Sequence, residues 1–303
     1  MNYDITQADR APLPHSGETE SRCLGYRADD WAKPYTKYFR DQTQPIQEQA
    51  REALIAGTVP CEWGLRLPEA AALMSRRGYL PCETGYTRNE DGLIVVSVLT
   101  HMPGVTGEMR NWWFRWHGVE TAPYKLWHPS AHLYTAMGEP RNRIAGLTDR
   151  QRYLNNVSYV DEYLGPDVSP LTVRFFDQNR MGFGTSGPGE TVIVARGRLS
   201  TMPVSSAWPI HQVRPTRDGA EMRSRFFVND VTLLDLPAHS VASAAGRVLT
   251  SRVALKLSTP VVKQVAKRKL REFGPDMLFH CASEMNHLAT FLPQLYAEFR
   301  TEP

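Results

Sequence analysis

Residues 274–295 read GPDMLFHCASEMNHLATFLPQL, and the fold turns on how this stretch is read. Pro275 suits the first turn of a helix. Behind it Met277, Leu278, Cys281, Met285, Leu288, Phe291, Leu292 and Leu295 recur at helical spacing. These positions wrap most of the way round the helix, so it is expected to lie largely inside the protein. Four residues separate His280 from Glu284, which puts them one above the other on one face. In isolation that spacing more often belongs to a surface ion pair or a satisfied core histidine. In an interior helix both groups are costly unless paired, hydrogen-bonded or metal-bound. Two ligands do not hold a zinc ion, so the other half of such a site has to come from elsewhere in the chain. His287, on a nearby stripe, is a spare candidate whose ordinary reading is a polar edge residue. Cys281 points about 100° away from His280 around the helix and is assigned neither as ligand nor as nucleophile.

Upstream of this helix the chain has the character of strands. Leu93 to Thr100 is rich in β-branched residues and ends at Pro103-Gly104, after which Thr106 can cap a helix running to Trp116. Strands are expected at Val157 to Leu164, Leu171 to Asp177, Thr191 to Leu199, Val204 to Arg214 and Ala220 to Val228. Turn residues such as Gly187-Pro188-Gly189 and Asp218-Gly219 separate them, which makes an antiparallel meander. The part from about His239 reads as helical again, with a break near Thr259-Pro260. A curved antiparallel sheet followed by a long C-terminal helix is an α+β helix-grip arrangement, with a cavity between sheet and helix suited to a mostly apolar small molecule. Residues 1 to about 40 lack periodicity and read as an irregular arm. Gln44 to Arg77 reads as helical, with a second helix starting at Leu67-Pro68-Glu69. The expected organisation is an N-terminal arm and small helical subdomain over 1–77 and a helix-grip catalytic domain over 78–303.

Composition narrows the class of function. With 303 residues, 42% of them hydrophobic, the chain can bury a sizeable core. A net charge of +3 with scattered arginines argues against nucleic acid as a partner. No apolar run approaches the roughly 20 residues needed to cross a bilayer, and the N-terminus is polar and acidic, so the expectation is a cytoplasmic protein without a membrane partner. Cys23, Cys61, Cys82 and Cys281 are far apart without CxxC pairing, which suggests neither a thiolate zinc site nor a disulfide framework.

The missing half of the site has few candidates. Tyr124-Lys125-Leu126-Trp127-His128-Pro129-Ser130-Ala131-His132 holds two histidines four apart, and Pro129 can open a short helix with His128 near its cap and His132 one turn further in. His117, between aromatic residues, reads as a packing residue with one hydrogen bond. On the strand Val157 to Leu164, alternation puts Val160, Glu162 and Leu164 on one face and Tyr159, Asp161 and Tyr163 on the other. His132, Glu162, His280 and Glu284 together offer two nitrogens and two oxygens, a set compatible with zinc. Ligand types alone do not separate zinc from manganese or iron.

Several ordered motifs carry a family resemblance. They are Thr100-His101-Met102-Pro103-Gly104-Val105-Thr106-Gly107-Glu108-Met109, then Trp112-Trp113-Phe114-x-Trp116-His117, then Tyr124 to His132 as quoted above. Glu162-Tyr163-Leu164-Gly165, Glu221-Met222-Arg223-Ser224-Arg225-Phe226 and His280-x-x-x-Glu284 follow. Over roughly residues 78 to 300 the chain resembles the 2,4-diacetylphloroglucinol hydrolase family, which includes phloretin hydrolases. The resemblance implies a zinc-dependent hydrolase on a Bet v 1-like helix-grip fold that cleaves the carbon–carbon bond between an acyl group and a polyhydroxylated aromatic ring. It implies Zn2+ held by His132, Glu162, His280 and Glu284, with His128 the alternative to His132. It also implies Tyr124 as a substrate contact and His211 as a catalytic histidine, with His128 or Glu162 further candidates for moving protons. The expected partner is a small phenolic ketone, and a homodimer is compatible with the resemblance. A family tyrosine near the Arg-Ser-Arg strand has no counterpart here, where Phe226 and Phe227 stand, which leaves the substrate open. The rival readings are a non-catalytic or cyclase-type helix-grip protein that binds an aromatic polyketide, and a metal-dependent retro-Claisen hydrolase of non-aromatic β-diketones.

Overall fold

A computed structural model describes residues 5–14, 22–90, 92–250 and 273–301. Among the described residues eight strands form one sheet: β1 (Gly85–Arg88), β2 (Ile94–Pro103), β3 (His132–Met137), β4 (Val157–Leu164), β5 (Asp167–Phe176), β6 (Thr191–Leu199), β7 (Val204–Thr216) and β8 (Gly219–Leu233). Their order is β1-β2-β8-β7-β6-β5-β4-β3, and every neighbouring pair is antiparallel. From β4 through β8 the sheet is the expected meander, β3 extends it beyond β4, and β2 joins it along β8. The helices are α1 (Glu48–Ala56), α2 (Ala70–Met74), α3 (Gly107–Trp116), α4 (Thr121–Trp127), α5 (Asp149–Tyr153), α6 (Ala244–Val248), α7 (Phe273–Ala289) and α8 (Leu292–Phe299).

The fold is α+β, and α7 sets its shape. This helix packs against β1 and β2 near one edge of the sheet and also against β4 near the other. Between β2 and β4 in the sheet order lie five strand spacings, roughly 24 Å if flat, against a helix roughly 10–12 Å across. Both contacts therefore require the sheet to curl around the helix. Alternation along the strands separates two cores. Ile94, Val96, Val98, Ile193 and Ala195 face the helix side with Leu278, Met285 and Leu288 of α7. Val95, Val192 and Val194 face the other side, where Leu65, Ala70, Ala71 and Met74 cover them. Leu278, Met285 and Leu288 have no accessible surface, and each such side chain contributes about 1.5–3 kcal/mol on burial.

Several sequence expectations are revised. The run from Gly274 to Leu295 is two helices, because Pro293 cannot donate a backbone hydrogen bond and the chain turns at Thr290-Phe291 before α8. Helix between Gln44 and Arg77 is limited to α1 and α2 with short 3-10 turns, since Gly57 at φ +80° stops the first helix. The edge strands β1 and β3 were not anticipated. His287 is not a polar edge residue but 1% exposed, its Nδ1 accepting the Gln44 amide at 3.3 Å. Thr106 caps α3 as expected, its Oγ1 accepting from the Met109 amide at 3.4 Å. The described arm residues form no strand. They are tied to the body by Arg22–Asp161 at 2.6 Å and by the buried Lys125, whose Nζ donates to the Gly25 carbonyl at 2.5 Å. The expected break at Thr259-Pro260 lies outside the described residues.

Candidate metal centre

The polar side of α7 meets β3 and β4 at one buried point. His132 is the first residue of β3 and sits opposite Glu162 of β4, with an irregularity between His132 and Tyr134 that turns β3 away. His280 and Glu284 approach from α7. His132 Nε2 lies 3.6 Å from Glu162 Oε2 and 3.6 Å from Glu284 Oε2, while His280 Nε2 lies 4.0 Å from Glu162 Oε1 and 3.8 Å from Glu284 Oε2. Ligand atoms of His132, His280 and Glu284 all fall within 4.8 Å of one another, a grouping able to hold a metal ion. Around an ion with bonds of about 2.0–2.1 Å, tetrahedral ligands are about 3.3 Å apart. The four nitrogen–oxygen distances exceed that by about 0.3 to 0.7 Å, and Glu162 is not part of the three-residue grouping.

The surroundings of each side chain fit that use. Tyr124 is stacked on the His132 ring at 3.8 Å between centroids, and its backbone carbonyl lies 2.9 Å from His132 Nδ1. That bond places the proton on Nδ1 and turns the bare Nε2 toward the carboxylates, as a histidine ligand is held by an outer partner. Nε2 is buried and has no hydrogen-bond partner. The Tyr124 hydroxyl donates to Glu162 Oε2. Burial, then the facing His280 and His128, hold His132 well below the ordinary histidine range, and burial lowers His280 to about 4. Both imidazoles are therefore neutral at pH 7. Burial pushes Glu162 up to about 7, and burial followed by the charge of Glu162 holds Glu284 well above the carboxylate range. Two buried carboxyl groups that resist ionising together, facing two neutral imidazoles, make a pocket that a divalent cation would neutralise.

The expected helix from Pro129 is absent. The helix in this region is α4, which starts near Thr121 with Pro123 in its first turn and ends at Trp127. Only one turn follows, with the amides of Ala131 and His132 both bonded to the His128 carbonyl, before β3 begins. His132 consequently reaches the cluster from a strand. His128 stays buried beside it, its ring stacked on His280 at 5.0 Å, and belongs to the surroundings of the three grouped ligands. His117 is a packing residue, with its Nδ1 2.6 Å from the Trp113 carbonyl. Asp161 faces away from Glu162, as alternation requires, and pairs with Arg22.

The cluster opens on a cavity of about 1140 Å3 enclosed by β4 to β8 and α7, with Glu162, His280, Glu284, Tyr124 and His211 in its lining. His211, on β7, has Nδ1 2.8 Å from Ser224 Oγ. Its ring packs on Phe226 at 5.5 Å and Phe114 at 6.5 Å. Burial first and the charge of Arg110 second bring His211 down to about 3, so it is neutral at pH 7. Arg110 was missed in the sequence. It has no accessible surface, lies 5.1 Å from the Phe114 ring and 5.4 Å from the Trp127 ring, and leaves Nε and Nη1 without a hydrogen bond. A signal existed, because Arg110, Trp113, Phe114 and His117 fall on one helical stripe that is otherwise aromatic.

The model of the DAPG hydrolase PhiG domain family matches residues 66–297, and the chain belongs to that family of hydrolases. It is 27% identical over 281 residues to a 2,4-diacetylphloroglucinol hydrolase of Pseudomonas protegens, covering 89% of this chain and 85% of the relative. It is also 27% identical over 287 residues to the phloretin hydrolase of Eubacterium ramulus, covering 91% and 93%. Among solved structures, a Thalictrum norcoclaurine synthase matches at 11% identity and a TM-score of 0.25, covering 59% of this chain and 92% of that one. No helix among the described residues is long and apolar enough to cross a membrane.

Proposed function

We propose that this protein is a zinc-dependent hydrolase, on a Bet v 1-like helix-grip fold, that cleaves the carbon–carbon bond between an acyl group and a polyhydroxylated aromatic ring. The observation that carries the reading is the buried convergence of His132, Glu162, His280 and Glu284 on the wall of a cavity that also presents His211. Kinship with hydrolases named for 2,4-diacetylphloroglucinol and phloretin supports an acylphloroglucinol-type substrate.

The chemistry follows from the leaving group. An aryl carbanion is too unstable to depart, so the ring must first become a β-diketone-like tautomer, with a proton on the carbon that bears the acyl group. Neutral His211 can take the proton of an adjacent ring hydroxyl and return it to that carbon, a transfer suited to an imidazole held uncharged. Water then adds to the acyl carbonyl, the bond to the ring breaks, and the ring leaves as an enolate that rearomatises to the phenol. When bound, zinc supplies Lewis-acid stabilisation of developing oxyanions and lowers the pKa of water. Glu162, with the Tyr124 hydroxyl on one oxygen, is placed to receive a proton from the attacking water. The aromatic side chains Phe114, Phe175 and Phe226 around His211 suit an aromatic ring over a non-aromatic β-diketone.

Metal content and product formation, measured on wild type and His280→Ala, test the proposal. The expected result is about one zinc per chain and cleavage in wild type, with both lost together in the variant. Undiminished cleavage by a His280→Ala protein that holds no metal would overturn it.

A further inference from the structure

The cavity is larger than one hydroxylated ring needs. Its volume of about 1140 Å3 lies above the about 300–1,000 Å3 typical of small-molecule sites. Its lining is also divided. Around His211 stand three aromatic rings, Phe114, Phe175 and Phe226, in mutual contact or in contact with the imidazole. Away from them the sheet floor becomes aliphatic and shallow. Phe175 pairs with Ala195, two residues on Val173 pairs with Gly197, and two further on Leu171 pairs with Leu199. Gly197 pairs on its other side with Ala207, and Ala207 with Val228. A Cβ on Gly197 would meet only Ala207, at ordinary contact distances of 3.7 Å and beyond, so the small residues leave a groove in the floor. At the rim, Leu199 and Val168 line the opening and are 41% and 45% exposed.

We propose that this aliphatic groove is an acyl-chain site and that the preferred substrates are hydroxylated aryl ketones with a long unbranched apolar acyl chain. The proposal rests on the hydrolase reading above for the position of the ketone. The aromatic end takes the ring, the carboxylate and imidazole cluster faces the carbonyl, and the chain runs over Gly197 and Ala207 toward the rim. From Phe175 to Leu171 the strand spans roughly 13 Å, the length of an extended chain of roughly ten carbons. The lining also holds the polar side chains Arg198, Thr201 and Ser206, of which Arg198 is taken up by the Met202 and Ser240 carbonyls, so the aliphatic stretch over Gly197 and Ala207 suits a hydrocarbon chain.

The test separates binding from turnover. Phloroglucinols carrying a simple alkyl chain, methyl to decyl, have no carbonyl to cleave, and their binding to the metal-loaded protein is measured by calorimetry. Affinity is expected to rise roughly fourfold per methylene until the groove is full and then to level off. Affinity that is flat from methyl onward overturns the acyl-chain site. Ala207→Phe and, independently, Gly197→Val are each expected to lower the octyl-to-methyl affinity ratio at least tenfold, with melting curves confirming a folded protein. A ratio unchanged in folded variants also overturns it. Turnover of the matching ketones then tests the other reading: chain-dependent binding without cleavage of any ketone overturns the hydrolase and leaves the groove, whereas cleavage with chain-independent binding overturns the groove alone.

Discussion

Stripping the metal should make the stability of this protein respond to pH in a way that the loaded protein does not. Glu162 has an ordinary pKa of 4.5 and is lifted by burial to about 7 in the folded chain. A carboxyl raised on folding contributes stability that is full below about 4.5 and lost as pH rises through about 7. A bound divalent cation requires the carboxylate, so below pH 7 it must expel that proton, and its stabilising effect grows by about 1.4 kcal/mol per pH unit and proton. Between pH 5 and 7 the difference in unfolding free energy between zinc-loaded and chelator-treated protein should therefore widen by about 2 kcal/mol from Glu162 alone, the slope flattening as pH nears 7. Glu284, held well above the carboxylate range, adds to the same slope. The buried histidines have the opposite sign: His128 and His211, lowered to about 3, and His280, lowered to about 4, lose stability as pH falls through those values. Their rings are uncharged with or without metal over this window, so they cancel in the difference. Urea unfolding of both forms at pH 5, 6 and 7 measures the slope. A difference that stays constant across that range would refute the assignment of Glu162 and Glu284 to the metal.

Further outcomes follow from particular side chains. His211→Asn should lower the cleavage rate roughly 10²–10⁴-fold while metal content, read by elemental analysis, stays at the wild-type level. Glu83 accepts from Arg223 Nε at 3.0 Å and Nη2 at 2.6 Å and also from Arg225, all largely buried. Glu83→Gln strands two guanidinium groups and should cost about 3–5 kcal/mol in urea unfolding, whereas a loss below about 1 kcal/mol would show that the network is not a stabilising one. Arg110 is lowered to about 10 by burial and still carries its charge at pH 7. Arg110→Met, which removes a buried cation whose Nε and Nη1 lack hydrogen bonds and whose facing acid Glu284 is itself held well above the carboxylate range, should melt at or above the wild-type temperature. A loss greater than about 2 kcal/mol would mean that the guanidinium has a partner.

How far the sequence could be read depended on which physical signal each element carries. The strands Val157–Leu164 and Thr191–Leu199 coincide with their expected limits because they are buried along nearly their whole length and turn residues, Gly165-Pro166 after the first and Gly187-Pro188-Gly189 before the second, bound them. The edge strands β1 and β3 are short and carry polar residues, so alternation had little to act on. His280 and Glu284 could be found because helical spacing is local, and Glu162 because an acid between aliphatics on one face is conspicuous. The role of Pro129 was misjudged because a proline after a histidine can open a helix or follow the end of one, and only Pro123 in the first turn of α4 decides between them. The size of the cavity was not legible at all. It depends on how far the sheet curls around α7, a sum over many strand crossings that no local pattern records.

The most direct test of the central claim is product identification after incubating the zinc-loaded protein with an acylphloroglucinol ketone in oxygen-labelled water. The account predicts equimolar free phloroglucinol-type ring and carboxylic acid, with one labelled oxygen in the acid and none in the ring. Recovery of the ketone unchanged and still bound to metal-loaded protein would contradict it.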